Sequence, residues 1–212
     1  MAWDRSKALM SMTSPLGADA LFPTEFVGDE QISECFTYRI SVVSQKGVVK
    51  PDDVLNKPVC VTLREESGPV RYFHGIVHEV EESGTVRDTD TVTTYKVYTL
   101  TVVPRLWFLH QTIDCRVYQN KSVKDILTAV FNDAGLTDVS FSVSGATPRP
   151  YTVQFNESDY NFVVRLMEEE GWFYFFEHSS SKHTLVVADK NAAFKDIPNA
   201  TLKFIVNDRD SV

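Results

Sequence analysis

The 212-residue sequence predicts an α+β fold, an antiparallel β-barrel domain followed by an α+β domain with two helices. Three observations carry that expectation. Side chains alternate apolar and polar with period two through the first half, as half-buried strands require. In the second half the apolar period shifts to that of a helix in two stretches, each bracketed by start and stop signals. Aromatic residues make up 12% of the chain, with 14 Phe among them, so a large core can be filled.

The first half reads as strands around one short helical turn. Phe36, Tyr38, Ile40 and Val42 alternate with Thr37, Arg39 and Ser41. Pro51–Leu55 reads as a single helical turn, with Pro at its first position and Asp52 and Asp53 at its positive end. Asn56 supplies a left-handed exit. Val59, Val61 and Leu63 alternate again, and Glu65–Pro69 forms a turn into a returning strand over Val70–Glu81, where Gly75 marks a bulge or bend. Glu82–Asp90 reads as a polar loop. Thr93–Val103 resumes as a strand with apolar residues on both faces, which predicts burial on both sides. Short strands separated by turn signals predict a closed or nearly closed barrel.

The second half contains the helices. Val123, Ile126, Leu127, Val130 and Phe131 share one helix face, with Ser122 and Asp125 set as a capping box and Gly135 as the stop. Asp159–Glu170 forms the second helix, capped by Ser158 and ended by Gly171, with Phe162, Val163, Leu166 and Met167 turned inward. A buried Leu166 implies a loss of about 2–5 kcal/mol on truncation to Ala. Strands flank the helices at Val139–Val143, Tyr151–Phe155, Trp172–Glu177 and Thr184–Ala188, the last two joined through Ser179–Lys182. Thr201–Val206 reads as a final strand. The expected domains are residues 1–112 (barrel), 113–190 (α+β) and 191–212 (return toward barrel structure), with strands giving way to helix near Gln111–Asn120.

Charge and composition exclude several function classes. The chain carries 21 basic and 29 acidic residues, a formal net charge of −8, which disfavours nucleic acid as a partner. No run of about 18 apolar residues occurs, so no membrane-spanning helix is expected. The first residues lack a signal-peptide centre: Asp4 accompanies Arg5 and Lys7, and Ser11, Thr13, Ser14 and Pro15 interrupt the apolar run. Synthesis in the cytosol follows, with export left to a machine that ignores N-terminal signals. Cys35, Cys60 and Cys115 form no disulfide framework and no CxxC pair, and read as small buried hydrophobes in a reducing compartment.

No residue is assigned a catalytic, cofactor-binding or metal role. His74 and His78 have the spacing of a helical zinc motif, but they sit on a strand, where four residues span about 13 Å. His110 stands alone, and His178 and His183 could face each other across a hairpin without further ligands. Glu157 and Asp159 are best placed to serve the positive end of the second helix. Arg165 can pair with Glu168 or Glu169, and Glu168–Glu170 sit at the unfavourable end of the helix dipole, which points to another partner. No nucleophile elbow, phosphate loop or dinucleotide fingerprint is present.

Three blocks together resemble the VgrG family of type VI secretion spikes. YTVQFNESDYNFVVRLMEEEGWFYFFEH (Tyr151–His178) is similar to the family's hallmark stretch, VRYFHGIVHEVE (Val70–Glu81) to its first-barrel strand, and TLTVVPRLWFLHQTIDCRVYQNKSVKDIL (Thr99–Leu127) to its barrel-to-helix junction. They follow the family's order, and weaker similarity joins them from Pro15 to Lys190. The resemblance implies a contractile-phage tail hub fold that assembles as a homotrimer, caps the hexameric Hcp tube, and meets baseplate components. It implies a needle, a PAAR tip and effectors further along. On this likeness the chain corresponds to the first half of a hub, ending at Val212 before the second barrel. The implied role is structural, coupling the tube to a piercing point and cargo, with delivery by the secretion machine. Two other readings are a baseplate hub of a contractile phage or phage-like particle, and a cell-wall hydrolase using Glu157 and Asp159.

Overall fold

The computed structural model describes residues 9–17, 20–45, 47–64, 70–88, 92–145 and 147–195. The expected turn at Glu65–Pro69 and the strand at Thr201–Val206 lie outside them.

Six antiparallel strands form the first sheet: β1 (Met10–Thr13), β2 (Leu21–Asp29), β3 (Thr37–Ser44), β4 (Pro58–Leu63), β5 (Arg71–Arg87) and β6 (Thr94–Val103). Their order is β1-β4-β5-β6-β3-β2, and the sheet curls until its edge strands β1 and β2 approach each other, making a nearly closed barrel. The alternation in β3 does what its period requires: Tyr38, Ile40 and Val42 point into the barrel core with Phe36, Val59, Val61, Leu100 and Val102. The helical turn α1 (Pro51–Val54) has Pro at its start and plugs Val54 into that core. Asn56 leaves it with φ of 58°, in the left-handed region Asn tolerates.

Two strands come unforeseen and three expectations change. β1 and β2 arise in a stretch without clean alternation, because β2 carries Pro23 and a register shift between Pro23 and Glu25. Gly75 is not a bulge. It pairs in register with Val59, and a Cβ there would meet Val102 Cγ1 at 2.5 Å, the Phe36 ring at 3.0 Å and the Val103 carbonyl oxygen at 3.1 Å, so close packing excludes a side chain. The segment expected as a loop from Glu82 continues β5 as far as Arg87, and register shifts at Val77/Glu79 and Glu82/Gly84 let the long strand twist while staying paired to β6. β6 is buried chiefly on one face, through Tyr98, Leu100 and Val102, while Tyr95, Val97, Thr99 and Thr101 are only half-buried.

A 3₁₀ helix (Arg105–Gln111) leaves the barrel, and Leu106 and Leu109 fix it in a second core. β7 (Ile113–Lys121) follows, so the expected switch from strand to helix near Gln111–Asn120 is itself a strand; it pairs antiparallel with β9 (Arg149–Ser158) as a two-stranded ribbon. Helices α2 (Val123–Asp133) and α3 (Asp159–Glu169) form with the expected caps. Ser122 and Asp125 exchange both capping-box bonds, Ser158 accepts from the Asn161 backbone N–H, and Gly135 and Gly171 turn left-handed after the helices. β8 (Val139–Ser142), β10 (Phe173–His178) and β11 (His183–Ala188) make a three-stranded sheet ordered β10-β11-β8, with β8 parallel to β11. The helices bury Ile126, Leu127, Val130, Phe162, Leu166 and Met167 in the second core. No helix among the described residues is long and apolar enough to cross a membrane.

Candidate functional site

Among the described residues, a cluster of ionisable side chains lies inside the protein where the β10–β11 hairpin packs on β5. Their strands bring three histidines together. His178 and His183 are register partners on the hairpin, and His74 projects from β5. The Arg105 backbone N–H donates to Nε2 of His183 at 3.0 Å. The His183 proton therefore sits on Nδ1, which lies 2.9 Å from Nδ1 of His74 and donates to it. Nδ1 of His178 lies 3.1 Å from both the backbone N and the carbonyl oxygen of His74. Its Nε2 lies 3.2 Å from the Tyr38 hydroxyl, which donates to the Glu30 carboxylate. Phe36 packs against this group, with ring centroids 5.0 Å from His178, 5.0 Å from Phe176 and 5.6 Å from His183.

Burial decides the charge state of the cluster. Burial first, and repulsion between the imidazoles second, push His74 down to about 4 and His183 to about 3. Burial lowers His178 too, against the pull of Glu30, and raises the Tyr38 hydroxyl. At neutral pH His74 and His183 are uncharged links in a hydrogen-bonded seam between barrel and hairpin. Among the described residues no group of three or more His, Cys, Asp and Glu side chains is arranged to hold a metal ion. The cavity beside His74 and His183 has a volume of about 170 Å³ and its Asp138 and Lys182 pair with each other at 2.8 Å; the cavity beside Glu30 and His178 has about 190 Å³. Both are below the roughly 300–1,000 Å³ of ordinary small-molecule sites.

The other sequence candidates lie elsewhere. His78 packs against Trp107 with ring centroids 3.9 Å apart and His110 against Tyr160 at 3.8 Å, both pairs tilted. Glu157 pairs with Arg165 at 2.6 Å. Asp159 is buried, accepting from Gln154 Nε2 at 2.8 Å and lying 3.4 Å from Arg116 Nη2. It therefore ties α3 to the ribbon instead of capping the helix, a cap that Ser158 already provides. Neither carboxylate lines either cavity. Arg165 pairs with Glu169 at 2.9 Å, and the further partner implied by the terminal glutamates is Arg149 of β9, which bonds Glu169 and Glu170. Cys60 is buried and the Cys35 thiol is pushed up to about 12 by burial, but Cys115 is exposed on the ribbon, against the expectation that all three are buried. The histidine seam escaped sequence reasoning because more than a hundred residues separate His74 from its partners; only the His178–His183 hairpin was visible.

Residues 29–212 match the phage tail baseplate hub (GPD) family. The chain belongs to that family. It is 36% identical to the type VI secretion system spike protein VgrG1b of Pseudomonas aeruginosa over 201 residues, covering 94% of this chain and 26% of that protein. To VgrG1c of the same organism it is 34% identical, covering 91% of this chain and 26% of the relative. The chain thus spans about a quarter of the length of these relatives, and the VgrG resemblance holds across most of it. Among solved structures, the E. coli c3393 protein, a component of the type VI secretion system similar to T4 tail proteins gp27 and gp5, superposes with a TM-score of 0.74 at 21% identity, covering 88% of this chain and 50% of that one. The 43 kDa tail protein of prophage MuSo2 from Shewanella oneidensis gives a TM-score of 0.56 at 12% identity, covering 84% of this chain and 52% of that one.

Proposed function

We propose that this hub-family chain is a structural, non-enzymatic part of a type VI secretion spike, seated between the Hcp tube and the needle. The observation that carries the reading is the 36% identity to VgrG1b across 94% of this chain. The build supports it: two packed cores joined by a satisfied polar seam make a stiff mounting block. In this reading residues 1–112 form the hub barrel, 113–190 the α+β unit, and 191–212 return toward barrel structure. Subunits assemble as a homotrimer on the Hcp hexamer, the full-length spike bears the PAAR tip and effectors beyond the hub, and the assembly forms in the bacterial cytoplasm before ejection. No residue of the chain takes a catalytic, cofactor or metal role. Co-sedimentation with assembled Hcp tubes tests the reading: the folded chain is expected in the pellet, and a folded chain that stays in the supernatant overturns it.

A second reading, a baseplate hub of a contractile phage or phage-like particle, is favoured by the family match and by the MuSo2 superposition. Tail-sheath and capsid genes beside the coding sequence would select it over the spike.

A further inference from the structure

The cavity beside His74 and His183 is bordered by hydrogen-bond donors that the fold leaves unused. The bonds of the seam fix the tautomers one after another. His183 Nε2 accepts from the Arg105 backbone N–H, His183 Nδ1–H donates to His74 Nδ1, and the remaining proton of His74 therefore sits on Nε2. Among the described residues no group accepts from that N–H, although His74 as a whole is only 7% exposed. The open space it borders is the 170 Å³ cavity and the groove that continues it past Pro58 and Ser181. Arg105 lines the same cavity. Its side chain makes no ion pair among the described residues, yet lies close enough to both imidazoles to disfavour their charged forms. Lys182 and Asp138, paired with each other, and Ser181 complete the polar lining.

We propose that this cavity binds a free tetrahedral oxyanion of the inorganic phosphate or sulfate class. The unpartnered groups that border it, His74 Nε2–H and the Arg105 guanidinium, can donate and cannot accept. An anion satisfies both, whereas a metal cation finds no lone pair on the open edge of His74. Charge agrees. Asp138 opposes an anion, but Lys182 neutralises it, and with both imidazoles uncharged Arg105 leaves the lining positive. Apolar walls at Leu106, Leu136 and Phe176 strengthen each polar contact by keeping the local dielectric low. Size agrees as well: 170 Å³ is well above the roughly 10–15 Å³ that admits one water, and too small for an ordinary organic ligand. The donors come from separate elements, β5, the 3₁₀ helix and the hairpin turn. That spread suits oxygens pointing in four directions better than a planar carboxylate, which one arginine fork can hold edge-on. Seated there, the ion bridges β5, the 3₁₀ helix and the hairpin, and so ties the barrel to the second core. The proposal does not rest on the hub reading.

Nitrogen NMR of the full chain with isotope-labelled histidine tests this. Sodium sulfate and sodium phosphate are titrated at neutral pH, with ionic strength held constant by sodium chloride. Without added ion, His74 is expected as the Nε2–H tautomer and His183 as the Nδ1–H tautomer. Both ions are expected to shift the His74 Nε2 resonance to saturation. Arg105→Gln, at an exposed position, is expected to raise the dissociation constant about tenfold or more, as loss of a charge-assisted hydrogen bond does. Arg39→Gln, which lines a different groove on the outer side of the first sheet, should leave it unchanged. Shifts that grow in proportion to concentration without saturating are screening alone and overturn the proposal. Saturation that a folded Arg105→Gln variant leaves intact places the ion elsewhere and overturns it too, as does His74 found with its proton on Nδ1. Acetate, a planar carboxylate, and glycerol phosphate, an ester with an organic tail, separate the sources of the anion. Saturation by either, where sulfate and phosphate do not bind, overturns the assignment to a free tetrahedral ion.

Discussion

At the seam between barrel and hairpin, ionisable side chains are buried; on the β7–β9 ribbon, apolar side chains are exposed. Each region reverses the usual placement, and they differ in how the reversal is resolved. His74 and His183, 7% and 8% exposed, find hydrogen-bond partners inside the chain and remain uncharged. Phe155, 77% exposed, has no comparable cover within the described residues. A buried polar group can be satisfied by one well-placed neighbour, whereas an exposed apolar face is relieved only by another surface of similar extent. The seam therefore belongs to folding, and the ribbon keeps an apolar face that folding leaves uncovered among the described residues.

The contrast breaks most easily from behind the ribbon, where α3 supports its inner side. Leu166 is fully buried in the core that Tyr118 of β7 packs against. Leu166→Ala is expected to lower unfolding free energy by about 2–5 kcal/mol, with the exact cost set by how far the cavity collapses. Urea denaturation measures this; an unchanged midpoint would show that the helix does not brace the ribbon.

Acid probes the seam. The values of about 4 for His74 and about 3 for His183 lie below the ordinary imidazole value of about 6.5 that the unfolded chain recovers. Unfolding then takes up protons as pH falls, so stability is full above about pH 7, declines through about 6.5, and goes on declining toward the folded-state values. Two such groups remove about 2–4 kcal/mol between pH 7 and pH 5. Equal unfolding free energies at those two pH values would mean that the imidazoles are already charged in the fold. On the same strand, Gly75→Ala places a methyl group 2.5 Å from Val102 Cγ1 and is expected to cost about 1–3 kcal/mol by overpacking. A thermal midpoint equal to wild type would show that β5 yields there.

Local rules made much of the fold readable. The caps at Ser122 and Ser158, the stops at Gly135 and Gly171, and the apolar faces of α2 and α3 depend on neighbours three or four residues apart, and the sequence displays those spacings. The alternation of Tyr38, Ile40 and Val42 likewise showed which side of β3 the core occupies. Features decided by distant segments were hidden. Glu82–Arg87 looks like a loop until β6 supplies its hydrogen bonds, and Gly75 looks like a bulge until Val102 and Phe36 arrive beside it. The ribbon was missed in part for the opposite reason: β7 alternates Ile113, Cys115 and Val117 with Asp114, Arg116 and Tyr118, but its apolar side is the one turned outward. Alternation marks a strand with two unlike faces; in β3 the fold covers the apolar one and in β7 the more polar one.

The smallest expected effect is the one that most sharply separates ribbon from core. Val117 and Phe155 point away from α3, so Val117→Thr, which keeps the β-branched shape a strand prefers, and Phe155→Ser should each change the stability of the isolated subunit by no more than about 0.5 kcal/mol. The aromatic ring of Phe155 has little to lose, because water already reaches most of it. A loss above about 2 kcal/mol in urea denaturation would place the ring in a core, since a cost of that size needs a buried side chain.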